Sequence, residues 1–583
     1  MRRLPERVNG ESVLTIDTET TGLDKMTDQP FCFLIQVDDG EPMAIRWDLP
    51  IIRWLDANLP KARVCVFHNA KFDFHMMRNG GVNPESLYQT NVHCTFVAEA
   101  LIDEHQLSYS LDNLGQKYFG IAKDDSELVD WLVSHGYGKD RKTAMAHIQH
   151  APWPLVEKYG VGDIRLTRKL FQRQNHELAA QNLQQVFDLE MDTLKALVEI
   201  EHRGVPVNEI KVRSTADQLE QRQQVVQSNI IKLVGWEVNP RSPLEMTSAF
   251  NKLGIPIRMN GNGRPTFAKD VLDSLDHPFI NALKESRGIK TMMDTFIGGS
   301  IGKNLRNGRI HTDFNQVRGD DYGTGTGRLS SSGPNLQQVP KRDGELAPLI
   351  RGLFYGGHDK LWVANDWEQF EFRMFAHYVK DDALLRRYHD DPSTDFHQAL
   401  SDMTGKPRDK AKRINLGLVF GMGEGKLAKE VGLPYTVDSD GRFIAGPEAK
   451  QLFAEYHTKF PKAKQFLEEA SQLARSRGYV KTIFGRRLHF PGGEFTHKAG
   501  GLVFQGSSAD IMKKKLVELN NEYRNTDVEF VLVVHDEFCL IAPEEYADKV
   551  ARRVKEITED VPELRVPVLA KANVGENWWE ASK

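Results

Sequence analysis

Asp366 closes the apolar run Leu361-Trp-Val-Ala-Asn-Asp366, and Asp536 closes Val531-Leu-Val-Val-His-Asp536. Such short apolar runs predict buried strands, and a carboxylate where a buried strand surfaces is costly unless something positive meets it. Two such strands side by side hold two hard carboxylates close together. That is the donor set a pair of Mg²⁺ ions needs to clamp an attacking oxygen and a leaving phosphate oxygen. The pattern points to a polymerase or a nuclease. A strand-end Asp more often just caps a turn, so the weight falls on what accompanies the pair.

A second set of acids lies near the N-terminus. Asp17 and Glu19, in Asp17-Thr-Glu19-Thr-Thr-Gly-Leu23, follow an apolar strand, and period-two alternation turns both carboxylates to one face. Asn69-Ala-Lys-Phe-Asp73 adds a third acid after another apolar run. Tyr159-Gly-Val-Gly-Asp163 adds a fourth, with Tyr and Asp one helical turn apart and so on the same face. Four acids can hold two metal ions, and a phenol beside them can orient an attacking water. An isolated Asp-x-Glu carries little weight; the ordered set carries much more.

Around the first pair, two segments add cations and amides. Thr324-Gly-Thr-Gly-Arg328-Leu-Ser-Ser-Ser-Gly-Pro-Asn335-Leu-Gln337 joins flexible turns to groups suited to phosphate and minor-groove contact. Pro407-Arg408-Asp-Lys-Ala-Lys412-Arg-Ile-Asn-Leu416-Gly-Leu-Val-Phe420-Gly predicts a helix. Its positions 408, 412, 416 and 420 advance by roughly 40° each, so cations lead and apolar groups follow along one stripe. Arg408 and Lys412 can grip a triphosphate while Leu416 and Phe420 pack on sugar and base. A basic helix face is more often simply solvated, so the stripe gains meaning from its company.

Asp366-Trp-Glu-Gln-Phe-Glu371-Phe-Arg373, the 408–421 segment, Gln505-Gly-Ser-Ser-Ala-Asp510, His535-Asp536-Glu537 and Gly575-Glu-Asn-Trp578 together resemble the family A DNA polymerases of the bacterial DNA polymerase I type, over most of residues 190–583. The N-terminal acids resemble the proofreading 3′–5′ exonucleases with Tyr in their last motif, over about residues 10–175. Together the resemblances imply an α/β and α+β multidomain chain. A ribonuclease H-like exonuclease domain would span residues 1–185 and a right-hand polymerase domain 186–583, with the thumb at about 190–300, the palm at about 305–380 and 520–583, and the fingers at about 381–519. The implied activity is template-directed extension of a primer 3′ end with proofreading, in a layout typical of phage replicative enzymes. The alternative is a 3′–5′ exonuclease whose C-terminal region binds DNA without polymerising. A non-catalytic clamp leaves these acids and cations without a use.

On matching positions, the resemblance implies that Asp366 and Asp536 bind two metal ions. Arg408, Lys412 and His397 would hold the incoming triphosphate, and Lys412 can donate a proton to departing pyrophosphate. Glu371 matches the family's gate against a ribose 2′-OH, Arg328 its minor-groove reader, and Gln505 and His535 its primer-terminus contacts. Asp17, Glu19, Asp73 and Asp163 match exonuclease metal ligands or their supports, and Tyr159 the residue that positions water. The implied cofactors are two Mg²⁺ per active site, with Mn²⁺ able to substitute. Implied partners are primer–template DNA and dNTPs, for a monomeric enzyme, with any replisome or processivity subunit unidentified. Two positions depart from the family: Leu416 stands where Phe or Tyr is usual, and Phe420 where Tyr is usual. Leu416 cannot stack as an aromatic ring, and Phe420 has no hydroxyl to fix Glu371. Gly501 and His497 also replace the common Asn and Arg.

The elements that must carry these groups are legible as well. Before residue 185, strand-like runs (Ser12–Asp17, Arg63–Phe67) alternate with helical patterns, as in an α/β domain. Gln185 to Ile200 and Lys211 to Leu233 are long amphipathic patterns that predict a helical arm. Glycine-rich punctuation follows from Gly319 to Gly333, and then strands and helices mix. A chain of 583 residues, 40% hydrophobic and 27% charged, has ordinary globular composition with room for several domains. No apolar run approaches the roughly 18 residues of a membrane span, and no signal core opens the chain. The expectation is a cytoplasmic protein off the membrane, in the host cytoplasm if the source is a phage. The strand carrying Asp17 begins almost at once, so no 5′ nuclease is expected before it. The four cysteines have no metal-binding spacing and are expected to be reduced and buried. A net charge of −5 excludes nothing, because a local basic cleft can sit on an acidic body.

Overall fold

The computed structural model describes residues 4, 8–319, 322–341, 344–405 and 407–583. Its N-terminal part is built on a five-stranded sheet of order β3–β2–β1–β4–β5. The strands are β1 (Val13–Thr20), β2 (Pro30–Val37), β3 (Met43–Arg46), β4 (Val64–Phe67) and β5 (Val92–Cys94). β4 runs parallel to β1 and β5 to β4, while β2 and β3 are antiparallel neighbours. β1 is central and covered on both faces, which is why Val13-Leu-Thr-Ile16 reads as a nearly continuous apolar run.

Helix α1 (Ala70–Asn79) leaves β4 through Asn69, which takes the left-handed conformation (φ 64°) that Asn tolerates better than most side chains. α2 (Trp153–Gln181) lies across the sheet. A Cβ at Gly160 would run into Leu34, so the glycine lets the turn carrying Tyr159 and Asp163 sit against β2. α3 (Gln184–Arg203) joins two hydrophobic cores: Val186, Phe187, Met191 and Leu194 pack with the five-stranded sheet, and Ala196, Leu197 and Ile200 with the larger C-terminal core. The predicted helical arm follows as α4 (Glu209–Val234), packed on α5 (Pro278–Thr291).

The end of the glycine-rich segment returns as a strand of a short ribbon, β6 (Asp313–Asn315) paired with β7 (Ser330–Ser332). Beyond it, β8 (Lys360–Trp367), β9 (Glu529–Val534), β10 (Glu537–Pro543) and β11 (Ala570–Gly575) form an antiparallel sheet of order β9–β10–β8–β11. Between β8 and β9 run α6 (Phe370–Val379), α7 (Phe396–Thr404), α8 (Arg408–Val419) and α9 (Ala499–Tyr523), among other helices. After β10, α10 (Ala547–Glu559) packs on β8 and β11, and α9 packs on α3. Trp362 of β8 stacks on Trp578, with ring centroids 5.8 Å apart, fastening the C-terminus beneath the sheet. All four cysteines are buried and unpaired. Among the described residues, no helix is long and apolar enough to cross a membrane.

Candidate active sites

The first acid cluster gathers at the open end of β1. Asp17 and Glu19 share one face of the strand, Asp73 comes from α1, and Asp163 from α2. Thr18 links two of them: its backbone N–H donates to Asp17 Oδ1 at 3.0 Å, and its hydroxyl donates to Asp73 Oδ1 at 2.8 Å. Burial, and then repulsion from Asp163, push the Asp17 carboxyl up to about 7. Burial and then Asp17 drive Glu19 and Asp73 well above the carboxylate range, and burial also raises Asp163 against the pull of Lys123. Lys123, like Thr18, is a group here that the sequence did not announce. Its ammonium is ion-paired with Asp163, donates to the Tyr159 hydroxyl at 3.0 Å, and lies 4.8 Å from the centre of the Tyr159 ring.

The second cluster is set by strand register. β8 pairs with β10 so that Asp366 faces Glu537 directly. Asp536 is not at the end of β9, as expected, but in the two-residue turn His535–Asp536 between β9 and β10, with His535 at φ 57°. Both turn residues are exposed at the rim of the sheet, though the surrounding protein still takes water from the Asp536 carboxylate. That desolvation, and then Asp366, push Asp536 up to about 7. Glu537 is buried; it accepts from Trp578 Nε1 at 2.6 Å and from Arg351 Nη1 at 3.3 Å. Burial opposes its charge, but Arg351 and Lys341 outweigh burial and hold it below its ordinary value. Lys341 Nζ donates to Asp366 Oδ2 at 2.6 Å and to Glu537 Oε2 at 3.1 Å. Like Lys123, it escaped the sequence reading.

The remaining predicted groups fall into two sets. Arg328 Nη2 donates to Glu371 Oε1 at 2.7 Å, and both carry charge felt by His535, whose pKa is lowered by burial first and Arg328 second. On α8, Arg408 is exposed and its Nε donates to Asp395 Oδ2 at 2.6 Å. Lys412, half-buried one turn on, makes no ion pair with another described residue. His397 is buried beneath them, its Nδ1 3.2 Å from Asn415 Nδ2, and burial followed by Lys412 pushes its pKa down to about 4. Leu416 is half-buried on the same helix, and Gln505 is half-buried on α9. Phe420 caps α8, with its ring 6.2 Å from that of Phe504. A Cβ at Gly501 would come within 3.0 Å of Phe420 Cδ1. Gly501 thus leaves room for the ring at 420, a fit that Tyr would share; nothing in the structure explains the loss of the hydroxyl.

Both clusters suit hard divalent cations, since each crowds carboxylate oxygens whose mutual repulsion a cation would relieve. Among the described residues, neither is closed into a cage of three metal-ligating side chains. A lysine ammonium holds acids of each set instead.

Residues 209–580 match the family model for DNA polymerase family A. The chain belongs to DNA polymerase family A. Residues 1–179 match the model for a 3′–5′ exonuclease, so this family A member is a DNA-directed DNA polymerase with an exonuclease domain ahead of the polymerase domain. It is 37% identical to the DNA polymerase DpoZ of Salmonella phage PMBT28, over 99% of this chain and 98% of that one. Identity is 34% to the DpoZ of Acinetobacter phage SH-Ab 15497, over 98% and 97%. To DNA polymerase I of Pseudomonas aeruginosa it is 29%, over 99% of this chain and 64% of that one. The solved POL domain of Pol1 from M. smegmatis, in complex with DNA primer-template and dNTP, shares the fold with a TM-score of 0.78 at 22% identity, covering 99% of this chain and 97% of that one. Polymerase and exonuclease domains of this family generally use divalent metals. A nuclease whose C-terminal half only grips DNA therefore loses its ground.

Proposed function

We propose that this chain is a phage replicative polymerase that extends a primer 3′ end at Asp366 and Asp536 and edits that end at Asp17, Glu19, Asp73 and Asp163. Its working units are residues 1–185 as exonuclease, about 190–300 as thumb, about 305–380 and 520–583 as palm, and about 381–519 as fingers. It acts as a monomer in the host cytoplasm, off the membrane, on primer–template DNA and dNTPs. The carrying observation is the β8–β10 register, which sets Asp366 against Glu537 with Asp536 next to it in the turn.

Two Mg²⁺ ions per centre, or Mn²⁺ in their place, supply Lewis acidity and neutralise developing charge when bound. Arg408, Lys412 and His397 hold the triphosphate, and Lys412 gives a proton to the pyrophosphate oxygen as it leaves. Glu371, with Leu416 and Phe420, shapes the sugar pocket against a ribose 2′-OH. Arg328 reads the minor groove, and Gln505 and His535 hold the primer terminus. In the exonuclease centre, the Tyr159 hydroxyl orients the attacking water, itself oriented by the Lys123 ammonium.

Asp536→Ala tests the polymerase assignment. Primer extension should fall by about a thousandfold or more while cleavage of single-stranded primers from the 3′ end continues. Near-normal extension by that variant would place the chemistry elsewhere.

A further inference from the structure

Glu201 lies near the C-terminal end of α3, and its side chain is fully enclosed. A carboxylate taken out of water is costly unless its lone pairs are filled, and those of Glu201 are filled from two parts of the chain. From the exonuclease side, Lys71 Nζ donates to Oε1 at 2.6 Å, Lys25 Nζ donates to Oε2 at 3.2 Å, and His75 Nε2 lies 2.9 Å from Oε2. From the ribbon, the Phe314 backbone N–H donates to Oε1 at 2.7 Å. Both lysines reach past Glu201 as well, Lys71 to the Phe314 carbonyl at 2.6 Å and Lys25 to the Thr312 carbonyl at 2.8 Å. Burial alone would keep Glu201 neutral, yet Lys25 and Lys71 outweigh it and hold the pKa well below the ordinary value.

The side chains that Glu201 collects, Lys25, Lys71 and His75, all sit on segments that bear exonuclease acids. Lys71 and His75 are one turn apart on α1, and Asp73 between them is turned away by roughly 200°. One short helix thus shows its acid to the nuclease centre and its Lys71 and His75 side chains to α3. Lys25 stands in the loop that leaves β1 just after Asp17 and Glu19. In the same loop, Asp24 Oδ1 accepts from Arg306 Nη1 at 2.9 Å, a second tie to the C-terminal part. These contacts line a cleft of about 670 Å³ at the junction, clear of both acid clusters.

We propose that Glu201 is a positioning residue for proofreading: by gathering Lys25, Lys71 and His75 it fixes α1 and the loop after β1, and so sets Asp73 and the Asp17–Glu19 pair for metal binding. Exonuclease geometry is then imposed from the polymerase side of the chain. The proposal rests on the metal-holding roles given to those acids above. Direct hydrogen-bond partners of metal-holding groups typically change metal affinity or activity by about 10- to 100-fold when removed; Glu201 acts one residue further out, through Lys25, Lys71 and His75, so the lower end of that range is expected.

The test uses the full chain carrying Asp366→Ala and Asp536→Ala, so that bound Mn²⁺, followed by electron paramagnetic resonance, reports the exonuclease centre. Glu201→Gln should raise the half-saturating Mn²⁺ about tenfold and slow cleavage of a labelled single-stranded oligonucleotide to match. With Asp366 and Asp536 restored, primer extension by Glu201→Gln should stay within about twofold of wild type. Should Glu201→Gln not fold, Glu201→Asp and His75→Gln carry the test, with an expected rise in half-saturating Mn²⁺ of about threefold. Asp73→Ala is the control. If it leaves Mn²⁺ binding and cleavage intact, the metal assignment itself fails. If it abolishes both while the folded Glu201 and His75 variants bind Mn²⁺ and cleave like wild type, or merely melt earlier with unchanged metal affinity, the positioning role is overturned.

Discussion

In the proposed exonuclease centre Asp73 and Asp163 are buried and Asp17 and Glu19 half-buried, whereas in the proposed polymerase centre the Asp366 side chain is 37% exposed and Asp536 is exposed as well. The proposed substrates account for the contrast. A hydrolytic centre that takes one strand end can be enclosed on a strand and two helices. A centre that takes a duplex end and a triphosphate together must hang its acids at the rim of a sheet. In each centre a lysine is ion-paired with the acids, the more enclosed centre enclosing its lysine more: Lys123 has 13% of its side chain exposed and Lys341 has 37%. Enclosure strengthens every charge interaction, so the exonuclease set should depend more steeply on its cations.

The largest effect should come from breaking the enclosed set outright. Asp17→Ala with Glu19→Ala should lower degradation of single-stranded primers by about a thousandfold or more, with extension unchanged, as read on a labelled-primer gel. Persistent 3′ digestion would place hydrolysis elsewhere. Removing the lysine of the open set is a milder perturbation. Lys341 competes with any cation for Asp366 and Glu537, so Lys341→Met should reduce the Mg²⁺ needed for half-maximal extension by up to about tenfold. An unchanged Mg²⁺ requirement would show that the ammonium does not occupy cation space.

The sugar pocket is the finer test of the open centre. Glu371 already accepts from Arg328, so a hydroxyl at 420 would add a second partner. Phe420→Tyr, in an exonuclease-dead background, should improve exclusion of ribonucleotides by about three- to tenfold. Equal incorporation ratios in both proteins would mean other residues shape the gate.

The smallest effect is on stability and belongs to the enclosed centre. Asp17 titrates near its ordinary value when unfolded but at about 7 when folded. Between roughly pH 4 and 7 the native state therefore holds more protons than the unfolded one, and stability falls as pH rises through that window. In chelator, the melting temperature should be a few degrees lower at pH 7.5 than at pH 5.5 from this cluster. The difference should shrink for Asp17→Asn with Glu19→Gln; an identical pH profile in that variant would locate the titration elsewhere.

Much of the frame could be read from the chain. The apolar runs at Val13, Leu361 and Val531 are strands, and Tyr159 and Asp163 share a helix, because burial imposes a period that survives in sequence. The turn at His535–Asp536 escaped because it lacks the Asn-Gly or Asp-Gly pair that usually marks a two-residue hairpin, and His535 takes the left-handed conformation instead. Lys123 and Lys341 lie in irregular segments with no period to read. Glu201 looked like any charged residue of an amphipathic helix, since what makes it special is brought from Lys25, Lys71 and His75 by the tertiary fold alone.

The most direct measurement follows one mismatch-terminated, labelled primer on a template with dNTPs and Mg²⁺, in wild type, in Asp536→Ala, and in Asp17→Ala with Glu19→Ala. Two separate centres in one chain require wild type to shorten the primer and then extend it, Asp536→Ala to shorten without extending, and the exonuclease variant to stall or extend across the mismatch without shortening. Loss of both activities in either variant, or survival of both in each, would contradict the division of labour between the two acid clusters.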